Sequence, residues 1–331
     1  MEEKQKRLLR KLRGELGQTV LDALEDPSVI EIMLNSDGSL WIERHGQGMQ
    51  RVGTMSAPNA ESLMGTIADA LHTVVTRDNP ILEGELPLDG SRFEGLLPPI
   101  VGHPTFTIRK KASVVFTLGQ YVEQGIMTPE QQAAIEAAIL RRANILVVGG
   151  TGSGKTTLTN AIIDGISTAC PDDRLVIIED TAEIQCKAEN SVILRASVDV
   201  DMLRLLRATM RLRPDRILVG EVRGGEALAL LKAWNTGHPG GVATIHANGA
   251  HAGLIRLEQL IAEATAAANM APLIAEAVDL VIAIEKTKGG RRIKEIIEVS
   301  GISERGTYQT QSVETKSLNT CIQKEKANAV A

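Results

Sequence analysis

The sequence predicts an α/β protein, a mainly parallel sheet covered by helices on both faces, preceded by a smaller N-terminal α+β domain. Three observations predict it. After Lys111, short apolar runs alternate with helical segments, the pattern of successive βαβ units. Before it, a helix, a hairpin and a second helix precede a stretch rich in Pro and Gly. The chain has 331 residues, and domains of about 150 residues each make two the natural division. The expected plan is an N-terminal domain at 1–111, a linker at 112–127, the parallel-sheet domain at 128–306, and a disordered polar tail at 307–331.

Each element has a local reason. Residues 4–25 repeat Leu8, Leu12, Leu16, Val20 and Leu24 at helical spacing and leave a basic face. Such a face can lie on anionic lipid, although a solvated face on a packed helix is the commoner origin. Residues 29–34 and 40–43 flank Asp37-Gly38, a hairpin signal because Gly tolerates the positive φ of such turns. A helix over 59–75 and a strand over 105–109 complete the first domain. Thr128-Pro129-Glu130-Gln131 is a capping box with Pro at the first helical position, and opens a helix that runs to 142. Strands are then expected at 144–148, 174–178, 216–219 and 241–245. Helices are expected at 155–166, 200–211 and 225–234, Ala-rich helices at 250–278, and a strand pair at 280–284 and 293–299.

Composition narrows the function. Lys and Arg number 36 against 41 Asp and Glu, a formal charge of −5, which disfavours a wholly basic nucleic-acid binder but leaves room for a local basic groove. The three cysteines, Cys170, Cys186 and Cys321, have no CxxC spacing and fit neither a disulfide framework nor a zinc site, so a reducing cytosol is expected. The first residues lead into mixed charges and read as no signal peptide. The longest stretch free of charged residues, 233–255, is interrupted by Gly, Pro, His and Asn and does not read as a membrane span. Any membrane contact is expected to be peripheral. Only 2 Trp, 2 Tyr and 3 Phe are present, too few for a base-stacking platform.

Residues 145–157 carry the decisive pattern: an apolar strand, then Gly149, Gly150, Thr151, Gly152, Ser153, Gly154, Lys155, Thr156 and Thr157, then a helix. This fits GxxxxGK[ST] in the strand-to-helix context that defines a P-loop. The glycines let backbone N–H groups curl around phosphate oxygens at a helix N-terminus. Lys155 is expected to reach the β and γ phosphates, and the Thr156 hydroxyl to bind Mg²⁺. The bare pattern arises by chance in roughly one chain per hundred of this length, and the flanking strand and helix lower that further.

Three later strand ends add chemistry. Ile217-Leu218-Val219-Gly220-Glu221 places Glu221 where a Walker B acid polarises the attacking water, with Gly220 at the usual Asp position. The run Glu179-Asp180-Thr181-Ala182-Glu183 clusters three acids that repel each other without a cation or a hydrogen-bond network, so Glu179 and Glu183 join Thr156 as candidate Mg²⁺ ligands. Residues 240–248 end a strand at His246, able to sense a γ-phosphate or relay a proton.

In order and spacing, the P-loop, the acidic box at 179–183, the segment 206–224 and the His box at 240–248 resemble the traffic ATPases of type II and type IV secretion, conjugation and pilus machines. The resemblance covers about residues 20–300. It implies a RecA-like P-loop ATPase domain beside the smaller N-terminal domain, ATP and Mg²⁺ as ligands, and a homo-hexameric ring working as a motor. It also implies a cytoplasmic position at the inner membrane, docked on inner-membrane components of the apparatus. The Gly in place of the Walker B Asp is that family's own variant. Carried over by position, Glu183 and Glu221 correspond to its acidic-box and Walker B glutamates, expected to be catalytic, and His246 to its His-box histidine. Arg92 and Arg109 match its N-terminal-domain arginines, with Arg207 and Arg211 as further candidate fingers and Arg223 last among them. Direct nucleic-acid binding is not expected. A RecA-like nucleic-acid translocase, a pilus or type II secretion motor, and a non-hydrolysing nucleotide switch stand as alternatives.

Overall fold

The computed structural model describes residues 2–44, 47–111, 115–197, 199–264, 269–287 and 289–313. The chain forms two compact units, Met1–Ser113 and Val114–Ala331.

In the first unit, α1 (Glu2–Glu25) and α2 (Ala57–Ala70) cover one face of a sheet built from β1 (Val29–Leu34), β2 (Ser39–Arg44), β3 (Gln50–Thr54), β4 (Ile81–Glu85), β5 (Arg92–Leu96) and β6 (Thr105–Arg109). The order is β3-β2-β1-β6-β5-β4 and neighbours run antiparallel. Gly17, at φ 72 and ψ 164, breaks α1 into two runs. Leu12 and Leu16 before the break and Val20 and Ala23 after it all reach the core, so the apolar spacing survives the kink. The β1–β2 hairpin turns at Asp37-Gly38 as expected, with Leu34 opposite Leu40. The helix expected to reach 75 stops at Ala70 because His72 takes a left-handed φ of 55. Strands β3, β4 and β5 have no counterpart in the sequence reading, since Gly and Pro around them hide the two-residue alternation.

The second unit opens with α3 (Leu118–Glu123) and α4 (Pro129–Leu140), both started by capping boxes, from Thr117 and Thr128. It continues through β7 (Ile145–Gly149), α5 (Lys155–Ala169), β8 (Leu175–Glu179), β9 (Ser191–Arg195), α6 (Met202–Thr209), β10 (Arg216–Val219) and α7 (Glu226–Asn235). Then come β11 (Val242–His246), α8 (Ala250–Ala264), α9 (Ala271–Ala277), β12 (Leu280–Thr287), β13 (Gly290–Ile302) and β14 (Tyr308–Ser312). The sheet order is β14-β13-β12-β7-β11-β10-β8-β9, parallel from β12 to β9.

Alternate residues of β7 serve opposite faces. Ile145 and Val147 meet α4 and α5, whereas Leu146 and Val148 meet α7, α8 and α9. Burial on both faces explains why these strands read as unbroken apolar runs. Asn144 fastens their starting ends: its Oδ1 accepts from the N–H groups of Gly240 and Gly241 at 2.8 and 3.0 Å, and its Nδ2 donates to Ala277 O at 2.8 Å.

Two expectations are corrected. Part of the expected linker, 112–127, is folded: Leu118, Tyr121 and Met127 are buried in the second unit's core, while 112–114 lie outside the described residues. The expected disordered tail, 307–331, begins as a strand, because Tyr308 packs edge-on to His251, donates its hydroxyl to Glu258 at 2.5 Å, and starts β14 against β13. Residues 314–331 lie outside the described residues. Among the described residues, no helix is long and apolar enough to cross a membrane.

Candidate functional site

Parallel strands point their carboxyl ends at one edge of the sheet, where the loops that follow them can converge. At that edge β7 runs into the P-loop. Gly152 and Gly154 hold φ values of 68 and 99, the left-handed conformations that turn successive N–H groups inward and that side chains with a Cβ resist. Lys155, the first residue of α5, is largely buried. Its Nζ donates to the carbonyls of Gly149 and Gly150 at 3.1 and 3.2 Å and lies 3.3 Å from His246 Nδ1.

The strand-end residues predicted from sequence converge on this lysine. His246 closes β11, directly beside β7, and its Nε2 is 2.7 Å from Glu221 Oε1. Glu221 follows β10, the next strand over. Its position is fixed by the adjoining chain: Thr244 Oγ1 donates to Gly220 O at 2.7 Å, and Val222 N donates to Thr244 O at 2.9 Å. At Gly220 an added Cβ would lie 3.2 Å from Glu179 Cβ and 3.5 Å from Ile184 Cδ1. A side chain there would press on the end of β8, which would have to give by a few tenths of an ångström.

That loop splits the acidic box. Glu183 stands at the P-loop, where its Oε2 accepts from Thr156 Oγ1 at 3.1 Å. Asn160 on α5 holds the loop in place, donating to Glu183 O at 3.2 Å and accepting from Gln185 N at 3.0 Å. A hydroxyl beside a carboxylate is the hard-oxygen donor set that suits Mg²⁺, which takes one or two protein ligands and completes its shell with phosphate and water.

Glu179 departs from the expected metal set. Its side chain is 1% exposed, its Oε2 accepts from the N–H groups of Glu183 and Ile184 at 3.0 and 2.9 Å, and Arg195 Nε stands 3.4 Å from Oε1. Burial raises its pKa above the usual carboxylate value, despite those two N–H groups and Arg195. Glu179 is the anchor of the loop and has no oxygen left for a cation.

The cation that the clustered acids call for comes from the chain itself. Arg223, ranked last among the arginines by sequence, donates from Nη1 to Asp180 Oδ2 at 2.5 Å and from Nε and Nη2 to Glu221 Oε2 at 3.0 and 2.6 Å. Burial works against its charge, but the Glu221 and Asp180 carboxylates outweigh it and raise its pKa. The repulsion among three acids was the sequence signal for such a partner, and its place two residues after Glu221 could have supplied the name.

The remaining arginines lie elsewhere. Arg207 is exposed in the last turn of α6. Arg92 and Arg109 belong to the first unit, opposite each other on β5 and β6. Glu85 pairs in register with Arg92 and Glu31 with Arg109, and Arg109 Nε is 3.6 Å from Glu31 Oε1. Two like charges facing across strands are unfavourable alone, and the flanking carboxylates offset that.

Comparison with known proteins agrees with this geometry. Residues 16–326 match the family described as type II/IV secretion system protein. The conjugal transfer protein TrbB of Rhizobium radiobacter is 57% identical over 305 residues, covering 92% of this chain and 94% of that one. VirB11 of Agrobacterium fabrum is 31% identical over 310 residues, covering 81% of this chain and 88% of its own. The fold is shared with the Legionella pneumophila ATPase DotB, with a TM-score of 0.62 at 19% identity over 84% of this chain and 79% of that one. With nearly the whole chain matched and the P-loop, acidic and histidine segments brought to one edge of one sheet, this chain belongs to the type II/IV secretion system protein family.

Proposed function

We propose that the chain is the ATP-hydrolysing subunit of a homo-hexameric motor that powers conjugative DNA transfer or type IV secretion. One observation carries the reading: His246 touches both Lys155 and Glu221 at the carboxyl edge of three adjacent strands. The P-loop N–H groups and Lys155 bind the β and γ phosphates, and the lysine exchanges its two carbonyl contacts for phosphate oxygens. Thr156 and Glu183 hold Mg²⁺, which when bound neutralises charge on the phosphates. Glu221 orients and polarises the attacking water once Arg223 yields its carboxylate. His246 lies between Lys155 and Glu221, placed to report the state of the γ phosphate to the carboxylate.

Lys155 and a divalent cation do not balance the charge of ATP, so arginines complete the site, with Arg92, Arg109 and Arg207 as the candidates. The basic run of α1, with Lys6, Arg7, Arg10, Lys11 and Arg13 exposed, supports a peripheral position on an anionic membrane surface, at the cytoplasmic side, beside inner-membrane components of the apparatus. The relatives named for conjugal transfer and VirB11 support that setting.

The test is a pair of variants. Lys155→Ala is expected to lower phosphate release at least about a hundredfold, as loss of one preorganised charge at the transition state does. Glu221→Gln is expected to bind ATP as the wild type does and to lose hydrolysis to a similar extent. Hydrolysis at the normal rate in either variant overturns the assignment, and strong stimulation by single-stranded DNA favours a nucleic-acid translocase instead.

A further inference from the structure

We propose that Arg291, on β13, forms the base-binding subsite of the nucleotide pocket, its guanidinium lying against the face of the purine. The inference rests on the P-loop reading above and extends it to the nucleoside end.

The direction of the nucleotide follows from the sheet order. β11 and β10, which end in His246 and Glu221, lie on one side of β7, and β12 and β13 lie on the other. The γ phosphate, which reacts, has to face His246 and Glu221, so the rest of the nucleotide leaves the P-loop toward β12 and β13. β12 runs parallel to β7, and its hairpin with β13, where Thr287 pairs with Gly290, therefore stands at the same edge as the P-loop. Arg291 is the next residue.

Its side chain is already at the loop. A Cβ built on Gly154 would meet Arg291 Cδ at 2.8 Å and Nε at 3.1 Å, with Ile284 Cδ1 at 3.6 Å. The arginine stem thus covers the outer side of the glycine whose inner side faces phosphate, and only a residue lacking a Cβ allows that approach. Its Nε is buried without a hydrogen-bond partner. Among the described residues Arg291 makes no ion pair, whereas the adjacent Arg292 is held by Glu285 at 2.7 Å. The charge of Arg291 is felt by the buried Tyr121, whose hydroxyl pKa burial pushes up and Arg291 pulls back. A guanidinium without an ion pair beside a P-loop, beyond the phosphate end, suits a flat π-system, because it is planar and weakly hydrated and stacks on aromatic faces. With only 7 aromatic residues in the chain, 2 Trp, 2 Tyr and 3 Phe, an arginine takes the part that an aromatic ring plays elsewhere.

The experiment is calorimetric titration of the full-length protein with ADP and, separately, with inorganic triphosphate, for the wild type, Arg291→Met and Arg291→Lys. Methionine keeps an unbranched stem over Gly154 and removes a buried, unpartnered Nε, so the variant's melting temperature should equal or exceed the wild type's and a loss of binding then belongs to the guanidinium. ADP is expected to bind about tenfold more weakly to Arg291→Met, the factor a partly desolvated cation–π contact gives, with triphosphate binding unchanged. Lysine, charged but not planar, should recover only part of the ADP affinity. Unchanged ADP binding in Arg291→Met overturns the subsite. An equal loss for triphosphate, or full recovery by lysine, makes Arg291 a phosphate ligand and also overturns it. Absence of ADP binding in the wild type is a different result, and removes the P-loop reading itself.

Discussion

Glu179 lies one residue from Asp180 in a run of acids that sequence alone treats as equivalent, yet burial separates their chemistry. Asp180 is exposed and held by Arg223, while Glu179 is sealed beneath the loop with its pKa raised above the ordinary 4.5. A carboxyl whose folded pKa is raised favours the folded state while protonated. Its contribution is complete below the unfolded value and disappears as pH rises through the folded one. Glu179→Gln keeps an acceptor for the N–H groups of Glu183 and Ile184 and cannot ionise. The variant should therefore gain in urea midpoint relative to the wild type as pH rises above about 4.5, the unperturbed carboxyl value. Parallel urea titrations across that range check it, and a difference independent of pH would show that Glu179 is charged at no cost. The strand-end position of Glu179 was legible in the sequence, but its role was not, because nothing in a local pattern says which of three neighbouring acids the following loop will cover.

At the level of elements, apolar strands buried on both faces were the most readable feature. β10 falls where expected, over Arg216–Val219, and β7 and β11 within a residue. What escaped were elements whose support is remote: β14 depends on Tyr308 reaching Glu258, and α3 on a core that its own six residues do not announce. Helix α8 illustrates the opposite case, where a local preference is overruled. Gly253 lies inside it, and Ala is the better helix former by about 1 kcal/mol. Yet a Cβ at 253 would come within 2.6 Å of Val148 Cγ1 on β7, and overpacking a tight core costs about 1–3 kcal/mol. Gly253→Ala should therefore destabilise the protein by up to about 2 kcal/mol and weaken nucleotide binding, since Val148 immediately precedes the P-loop. Urea unfolding and ADP titration measure the two effects, and a stabilised variant would show that α8 moves away without cost.

For the whole molecule, the proposed catalytic arginines set the terms. Arg207 is solvent-exposed on α6, and Arg92 and Arg109 belong to the first unit. An exposed arginine acts on a phosphate only when assembly desolvates it, because in free solvent such charges contribute little. A closed ring of identical chains, as proposed above, would supply that burial through repeated head-to-tail contacts. Light scattering with ATP and Mg²⁺ at working concentration should find an assembly of six chains, and a single-chain mass under those conditions would remove the ring. The expectation of a ring comes only from the order of the boxes along the chain. No property of a single P-loop distinguishes a motor from a switch.

The staple at Asn144 bears on how the protein is made. Its backbone N–H donates to Asp279 across 135 residues of chain, and its side chain accepts from Gly240 across 96. β7 takes both of its neighbours, β11 and β12, from chain made after it. A parallel sheet with such long-range closures forms late, after much loop entropy has been spent. On a ribosome adding residues from the N-terminus, the phosphate loop is among the first parts of its sheet to emerge and among the last to be held in shape.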